Sequence, residues 1–201
     1  MQPEKYDMEA PHDKAALRAL MRAKRQALTA EERHVLSHAA ATYVLQCLPW
    51  KKARSVALYI AVRGEMDTSP LLHAARQRGK QVLLPQCVME EPGAMRFTLC
   101  QGPEMLAPGA FGIPEPSCSA GMPEVAPDLI IVPAVAFDRR GTRLGQGGGF
   151  YDRYFSRPEV AGVPRLGFIY AFQLVEHLPQ DPWDLPVDGV CTEHGILWIT
   201  N

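Results

Sequence analysis

Short apolar runs alternate with amphipathic stretches along this chain, so strands and helices are predicted in turn. Behind Asp13, a capping residue, Leu17, Leu20, Met21, Lys24 and Leu28 follow at helical spacing, with Lys14, Arg18, Arg22 and Arg25 on the other faces. Thr29-Ala30-Glu31-Glu32 has the form of a capping box, in which the Thr29 side chain accepts a free backbone N–H and Glu32 reaches back. A second helix should therefore run to about Cys47 and stop before Pro49. Ser55 to Ala61 (SVALYIA) is a β-rich apolar run, followed by a loop RGEMD, then Thr68 as a cap with Pro70 in the first turn of a helix that closes at Arg78-Gly79. Gln81 to Pro85 is a further short strand, and the strand–helix–strand order predicts a parallel pair with a right-handed crossover.

From about Pro92 to Pro127 the chain is rich in Gly, Pro and Ser and is expected to form loops, with Met95 to Leu99 as an edge strand. Asp128 to Pro133 has the composition of a fully buried strand. Pro164 to Phe168, a short helical piece near Phe172, Val187 to Cys191 and Ile196 to Ile199 close the chain as a second such unit with a last strand. The fold class is α/β, a three-layer open, mostly parallel sheet with helices on both faces and an N-terminal helical pair. Residues 1–12 read as a flexible tail and 13–201 as a single domain.

Composition narrows the function. With 201 residues, 47% of them hydrophobic, the chain can bury a real core. Lys and Arg number 21 against 22 Asp and Glu, without the cationic excess that a duplex-binding protein needs, so no nucleic-acid partner is expected. The longest apolar run, Leu129 to Phe137, is interrupted by Pro133 and falls far short of the roughly 18–20 residues that span a bilayer. The first residues carry neither a basic start nor an apolar stretch, so no leader is expected. Five cysteines (Cys47, Cys87, Cys100, Cys118, Cys191), odd in number and without a CxxC, suit reduced thiols in the cytoplasm. The chain is expected to be a monomer.

Sixteen glycines and eighteen prolines exceed the average, and five of those glycines fall between Gly141 and Gly149. There the chain reads Gly141-Thr-Arg143-Leu144-Gly145-Gln146-Gly147-Gly148-Gly149-Phe150-Tyr151-Asp152, after a buried strand and before a helix. Glycines let backbone N–H groups crowd around an anion beyond the carboxyl ends of strands, so a phosphate site is one reading and a structural turn is the other. The run is not a Walker loop, and Phe150 stands where a dinucleotide fingerprint requires its third glycine. Arg143 and Asp152 favour the phosphate reading, since a guanidinium suits phosphoryl oxygens and a carboxylate suits Mg²⁺.

PAVAFDRRGTRLGQGGGFYDRY (Pro133 to Tyr154) resembles the signature of the 5-formyltetrahydrofolate cyclo-ligase family, also called methenyltetrahydrofolate synthetases. Lys14 to Arg18 (KAALR), Gly64 to Thr68 (GEMDT) and Pro186 to Gly195 (PVDGVCTEHG) match in order and spacing. The resemblance implies conversion of 5-formyltetrahydrofolate to 5,10-methenyltetrahydrofolate, with ATP as co-substrate and Mg²⁺ as cofactor and with release of ADP and phosphate. A formamide is a poor electrophile; moving the γ-phosphoryl group to the formyl oxygen makes that oxygen a leaving group for attack by the neighbouring nitrogen. Such steps need positioning and charge stabilisation more than a protein nucleophile.

The roles implied are specific. Lys14 and Arg18, one helical turn apart, would meet the nucleotide, although as residues they read equally as a solvated basic face. Arg143 would stabilise the transferring group, and Leu144, Gly145, Gln146, Gly147, Gly148, Gly149, Phe150 and Tyr151 would surround ATP. Asp152 and Asp188 are implied as Mg²⁺ ligands, with Asp188 open to the alternative of a turn carboxylate. Val62, Asp67, Phe111 and Phe150 are implied at the folate; Asp67 also reads as a helix N-terminal acid beside Thr68. Two departures stand out: Gly148 where some members carry Lys, and Phe150 where some carry Tyr. His177 and His194 have no role in this chemistry. Competing readings are a non-catalytic folate- or nucleotide-binding protein on this scaffold and a sugar-phosphate isomerase of related fold.

Overall fold

The computed structural model describes residues 13–117, 126–181 and 183–200; the expected tail at 1–12 and Cys118 lie outside them. Helix α1 (Lys14–Ala27) starts at Asp13, whose carboxylate accepts the N–H groups of Ala15 and Ala16. Helix α2 (Ala30–Gln46) begins with the capping box, Thr29 and Glu32 each holding the other's backbone N–H. Pro49 does more than mark the end of α2: it sits in the first turn of a short helix, α3 (Leu48–Lys52), which buries Trp50. Helix α4 (Ser69–Gln77) closes at Arg78 and Gly79, as expected.

Strands β1 (Ser55–Ala57), β2 (Gln81–Cys87), β3 (Met95–Leu99), β6 (Leu129–Val132), β9 (Arg165–Phe168), β11 (Gly189–Thr192) and β12 (Gly195–Trp198) build one seven-stranded sheet, ordered β12-β11-β9-β6-β1-β2-β3. Its five inner strands are parallel, while β3 and β12 pair antiparallel at the edges. Strands β4 (Leu106–Pro108) and β5 (Pro114–Pro116) form a hairpin within the stretch expected to be loops. A smaller sheet, β10-β7-β8, joins β7 (Ala136–Asp138), β8 (Arg143–Leu144) and β10 (Leu174–Val175).

Alternation along the strands decides the layers, because successive residues point to opposite faces and both faces are covered. Val56, Leu58, Val82, Leu84, Leu129, Ile131, Leu166 and Phe168 form a core with α2, α3 and α4. Ala57, Leu83, Ile130 and Val132 face the other way, onto Phe97, Tyr154 and Phe155. That second face carries only one α-helix, α5 (Phe150–Phe155). The N-terminal helices part company: α2 lies on the large sheet, whereas Leu17 and Met21 of α1 pack on Val135, Ala136, Leu144 and Leu178 of the small one. Arg25, expected on a polar face of α1, is fully buried.

Candidate active site

The glycine-rich segment hangs from the β7–β8 hairpin, and Asp138 shapes that hairpin. Its buried carboxylate accepts the N–H groups of Arg140, Thr142 and Leu178, a set that offsets the cost of burying the charge. The tight return sets Arg143 opposite Phe137 and delivers residues 145–149 to a cleft of about 540 Å³ beyond the carboxyl ends of the parallel strands. Such a place is where open α/β sheets hold ligands. Gly147 (φ 105°) and Gly149 (φ 66°) occupy the left-handed region, so a side chain at either would be strained. The carbonyl oxygens of Gly145 and Gly148, which would repel an anion, are already engaged by the guanidinium groups of Arg18 (2.9 Å) and Arg153.

Arg143 is the buried cation of the cleft. One of its terminal nitrogens donates to both carboxylate oxygens of Asp152, at 2.9 and 2.8 Å, and its guanidinium lies over the Tyr151 ring. Its Nε has no partner among the described residues, so the group has donor capacity left. Lys14, Arg18 and Arg22, each one turn further along α1, border the same cleft. Lys14 pairs with Asp181 at 2.6 Å and Arg22 donates to the side-chain oxygen of Gln146 at 2.6 Å. Leu144 lines the cleft while anchoring β8 to the core under α1.

The opposite end is flatter and more apolar. Phe111 and Phe150 meet edge to face, ring centres 5.8 Å apart, with Tyr59, Ile60 and Tyr151 among the other walls. Burial raises the Tyr151 hydroxyl well above its ordinary value, and that oxygen has no hydrogen-bond partner among the described residues. Val62 borders the cleft and its N–H donates to Glu65 at 3.2 Å. Glu65 is the acid of this end. Burial pushes its carboxyl above the usual range, against the Val62 hydrogen bond and the charges of Arg25 and Arg63, which pull it down.

Two of the expected residues are elsewhere. Asp67 does not line the cleft; its carboxylate accepts the N–H and hydroxyl of Ser69 at the start of α4, and its N–H donates to Ser37. A turn between Val62 and Glu65 sends Glu65 inward, and the onset of α4 then claims Asp67, the helix-acid alternative. Asp188 accepts the Arg165 N–H at 2.7 Å, where β9 and β11 begin, at the opposite end of the strands from the cleft. It is the turn carboxylate. Glu65, Arg22 and the exposed Trp183 belong to the cleft and escaped the sequence reading. For Arg22 the signal was present, as the next turn after Lys14 and Arg18.

Among the described residues no cluster of three or more His, Cys, Asp or Glu side chains could hold a metal alone. Asp152 fits Mg²⁺ all the same, since that ion takes one or two carboxylates together with phosphate oxygens and water. His177 and His194 lie outside the cleft.

A buried arginine–carboxylate pair, a stripe of helical cations and an open glycine loop at one end of a cleft, with an aromatic pocket around a buried acid at the other, define an α/β protein built to bring a phosphorylated co-substrate to a flat heterocycle. The family model described as the 5-formyltetrahydrofolate cyclo-ligase family matches residues 10–193, and the chain belongs to that family. It is 35% identical over 175 residues to the 5-formyltetrahydrofolate cyclo-ligase of Escherichia coli (strain K12), covering 86% of this chain and 96% of that one. The solution structure of Aquifex aeolicus 5,10-methenyltetrahydrofolate synthetase superposes with a TM-score of 0.79 at 36% identity, over 94% of this chain and 93% of that one. The Mycoplasma pneumoniae 5,10-methenyltetrahydrofolate synthetase, at 22% identity, shares the fold with a TM-score of 0.71 over 90% of this chain and 99% of that one.

Proposed function

We propose that the chain closes the ring of 5-formyltetrahydrofolate to give 5,10-methenyltetrahydrofolate, using ATP and releasing ADP and phosphate. The observation that carries this reading is the two-ended cleft, in which Arg143 and Asp152 stand at one end and Glu65 with Phe111 and Phe150 at the other. Nucleotide enters along Lys14 and Arg18, and its phosphates lie on the glycine loop from Gly145 to Gly149. Arg143 faces the transferring phosphoryl group as its charge redistributes, in a site too poor in water to screen it.

Asp152 would hold Mg²⁺, which supplies charge neutralisation on the phosphate oxygens. At the other end, the Glu65 carboxylate accepts hydrogen bonds from a pterin ring N–H and amino group, the task that sequence alone assigned to Asp67. Val62 orients Glu65 through its N–H. Phe150 and Phe111 cover the ring. The formyl oxygen receives the γ-phosphoryl group, the p-aminobenzoyl nitrogen attacks the formyl carbon, and the C–O bond breaks as phosphate leaves.

This sequence of bonds fixes the fate of one atom. Substrate labelled with ¹⁸O in the formyl group should yield inorganic phosphate carrying one ¹⁸O, read by mass spectrometry. Label found in water and absent from phosphate would rule out phosphorylation of the formyl oxygen. A non-catalytic binder would release no phosphate at all.

A further inference from the structure

Arg25 is the most costly side chain in the molecule to explain as packing. Its side chain is 1% exposed, and Nε and both terminal nitrogens lack hydrogen-bond partners among the described residues. A buried, unpaired guanidinium is strongly unfavourable, and folds keep such groups chiefly where a site needs them. The carboxylate it pairs with is Glu65, 3.7 Å from one terminal nitrogen, a distance for charge attraction rather than a hydrogen bond. Leu17, Met21 and Arg25 follow one another at four-residue spacing along the buried side of α1, so the last buried turn delivers a cation where the two before it deliver hydrocarbon.

The geometry points to Arg25 as a positioning residue for the pterin subsite: from behind the cleft it keeps the Glu65 carboxylate ionised and aimed, and so sets the affinity for the folate without touching it. The inference rests on the reading of Glu65 as the pterin acceptor. Glu65 is held on two sides, Oε2 by the Val62 N–H and Oε1 by the field of Arg25. The carboxylate needs that field, because burial alone favours its protonated form, which would offer a donor where the pterin amino group also donates. Other groups facing the pair are Arg22 on α1, Arg63 on the same loop, and the hydroxyls of Tyr59, Tyr151 and Tyr170. None replaces Arg25: Tyr59 donates to the Met66 carbonyl and Tyr170 to that of Glu65, and Arg63 reaches instead toward the Phe111 carbonyl at 3.4 Å.

Equilibrium binding of 5-formyltetrahydrofolate without nucleotide, followed across pH, tests this. Arg25→Met should weaken binding about tenfold or more at neutral pH, the effect of a shift of one pKa unit or more in a required carboxylate, and move the acid limb of the binding curve to higher pH. The KM for Mg·ATP should not change. Arg25→Lys should recover most of the affinity and return the limb toward its original pH, which also provides the test should Arg25→Met fail to fold. In Glu65→Gln the acid limb should vanish and adding Arg25→Met should cost little more. Unaltered binding in Glu65→Gln would overturn the pterin reading itself. Weakened binding in Glu65→Gln beside an unshifted limb in the Arg25 variants would overturn the role of Arg25 alone.

Discussion

At the scale of single residues, the pairing of Arg143 with Asp152 concentrates the phosphate chemistry in two side chains that hold each other in the free protein. Their separate tasks predict separate losses. Arg143→Ala should lower the turnover number by about 2–4 kcal/mol of transition-state stabilisation, the cost of removing one preorganised charge donor; steady-state kinetics at saturating substrates reads this directly. An unchanged turnover number would contradict its role. Asp152→Asn should raise the KM for Mg·ATP while leaving 5-formyltetrahydrofolate binding mostly intact, which titration of the variant with each ligand distinguishes. Legibility at this scale was uneven. The glycine run and its arginine stand out because few structural needs place five glycines in nine residues. Glu65 and Asp67 differ by two positions, and only the turn at Val62–Glu65 decides which enters the cleft.

Elements explain where the remaining acids went. Asp128 and Asp188 do the same work at the amino ends of parallel strands, each carboxylate taking N–H groups from the neighbouring strand: Arg54 and Ser55 in one case, Arg165 in the other. Burial alone would raise the Asp128 carboxyl, but the bonds from Ser55 and Arg54 outweigh it and hold the group below the usual range. A depressed carboxylate adds stability above its unfolded pKa and loses it as pH falls through the folded value. Asp128→Ala should therefore cost about 1–2 kcal/mol near neutral pH, with the difference from the parent chain closing under acid; denaturant titration at several pH values checks both. Asp188→Ala should behave likewise while leaving the KM for Mg·ATP unchanged. Capping signals at Asp13, Thr29 and Gly79 were readable because local hydrogen bonding and glycine conformation dictate them. The helix α3 and the β4–β5 hairpin were not, since both draw their stability from distant packing.

For the whole molecule, the alternation of apolar strands announced a mostly parallel sheet, and the pattern holds at the level of layers. What sequence could not convey is the division of labour between sheets. The large one is covered by α2 to α4 and supports the folate end through the loop after β1; the small one is covered by α1 and carries the phosphate end. Lys14, Arg18 and Arg25 thus serve both ends from one helix, although the net charge of the chain is only −1. No helix among the described residues is long and apolar enough to cross a membrane. The central claim is that the two ends act together on one substrate. Purified protein mixed with 5-formyltetrahydrofolate should develop the absorbance of the methenyl product when Mg·ATP is present and none when it is omitted. A methenyl signal independent of ATP, or its absence with Mg·ATP supplied, would contradict the account.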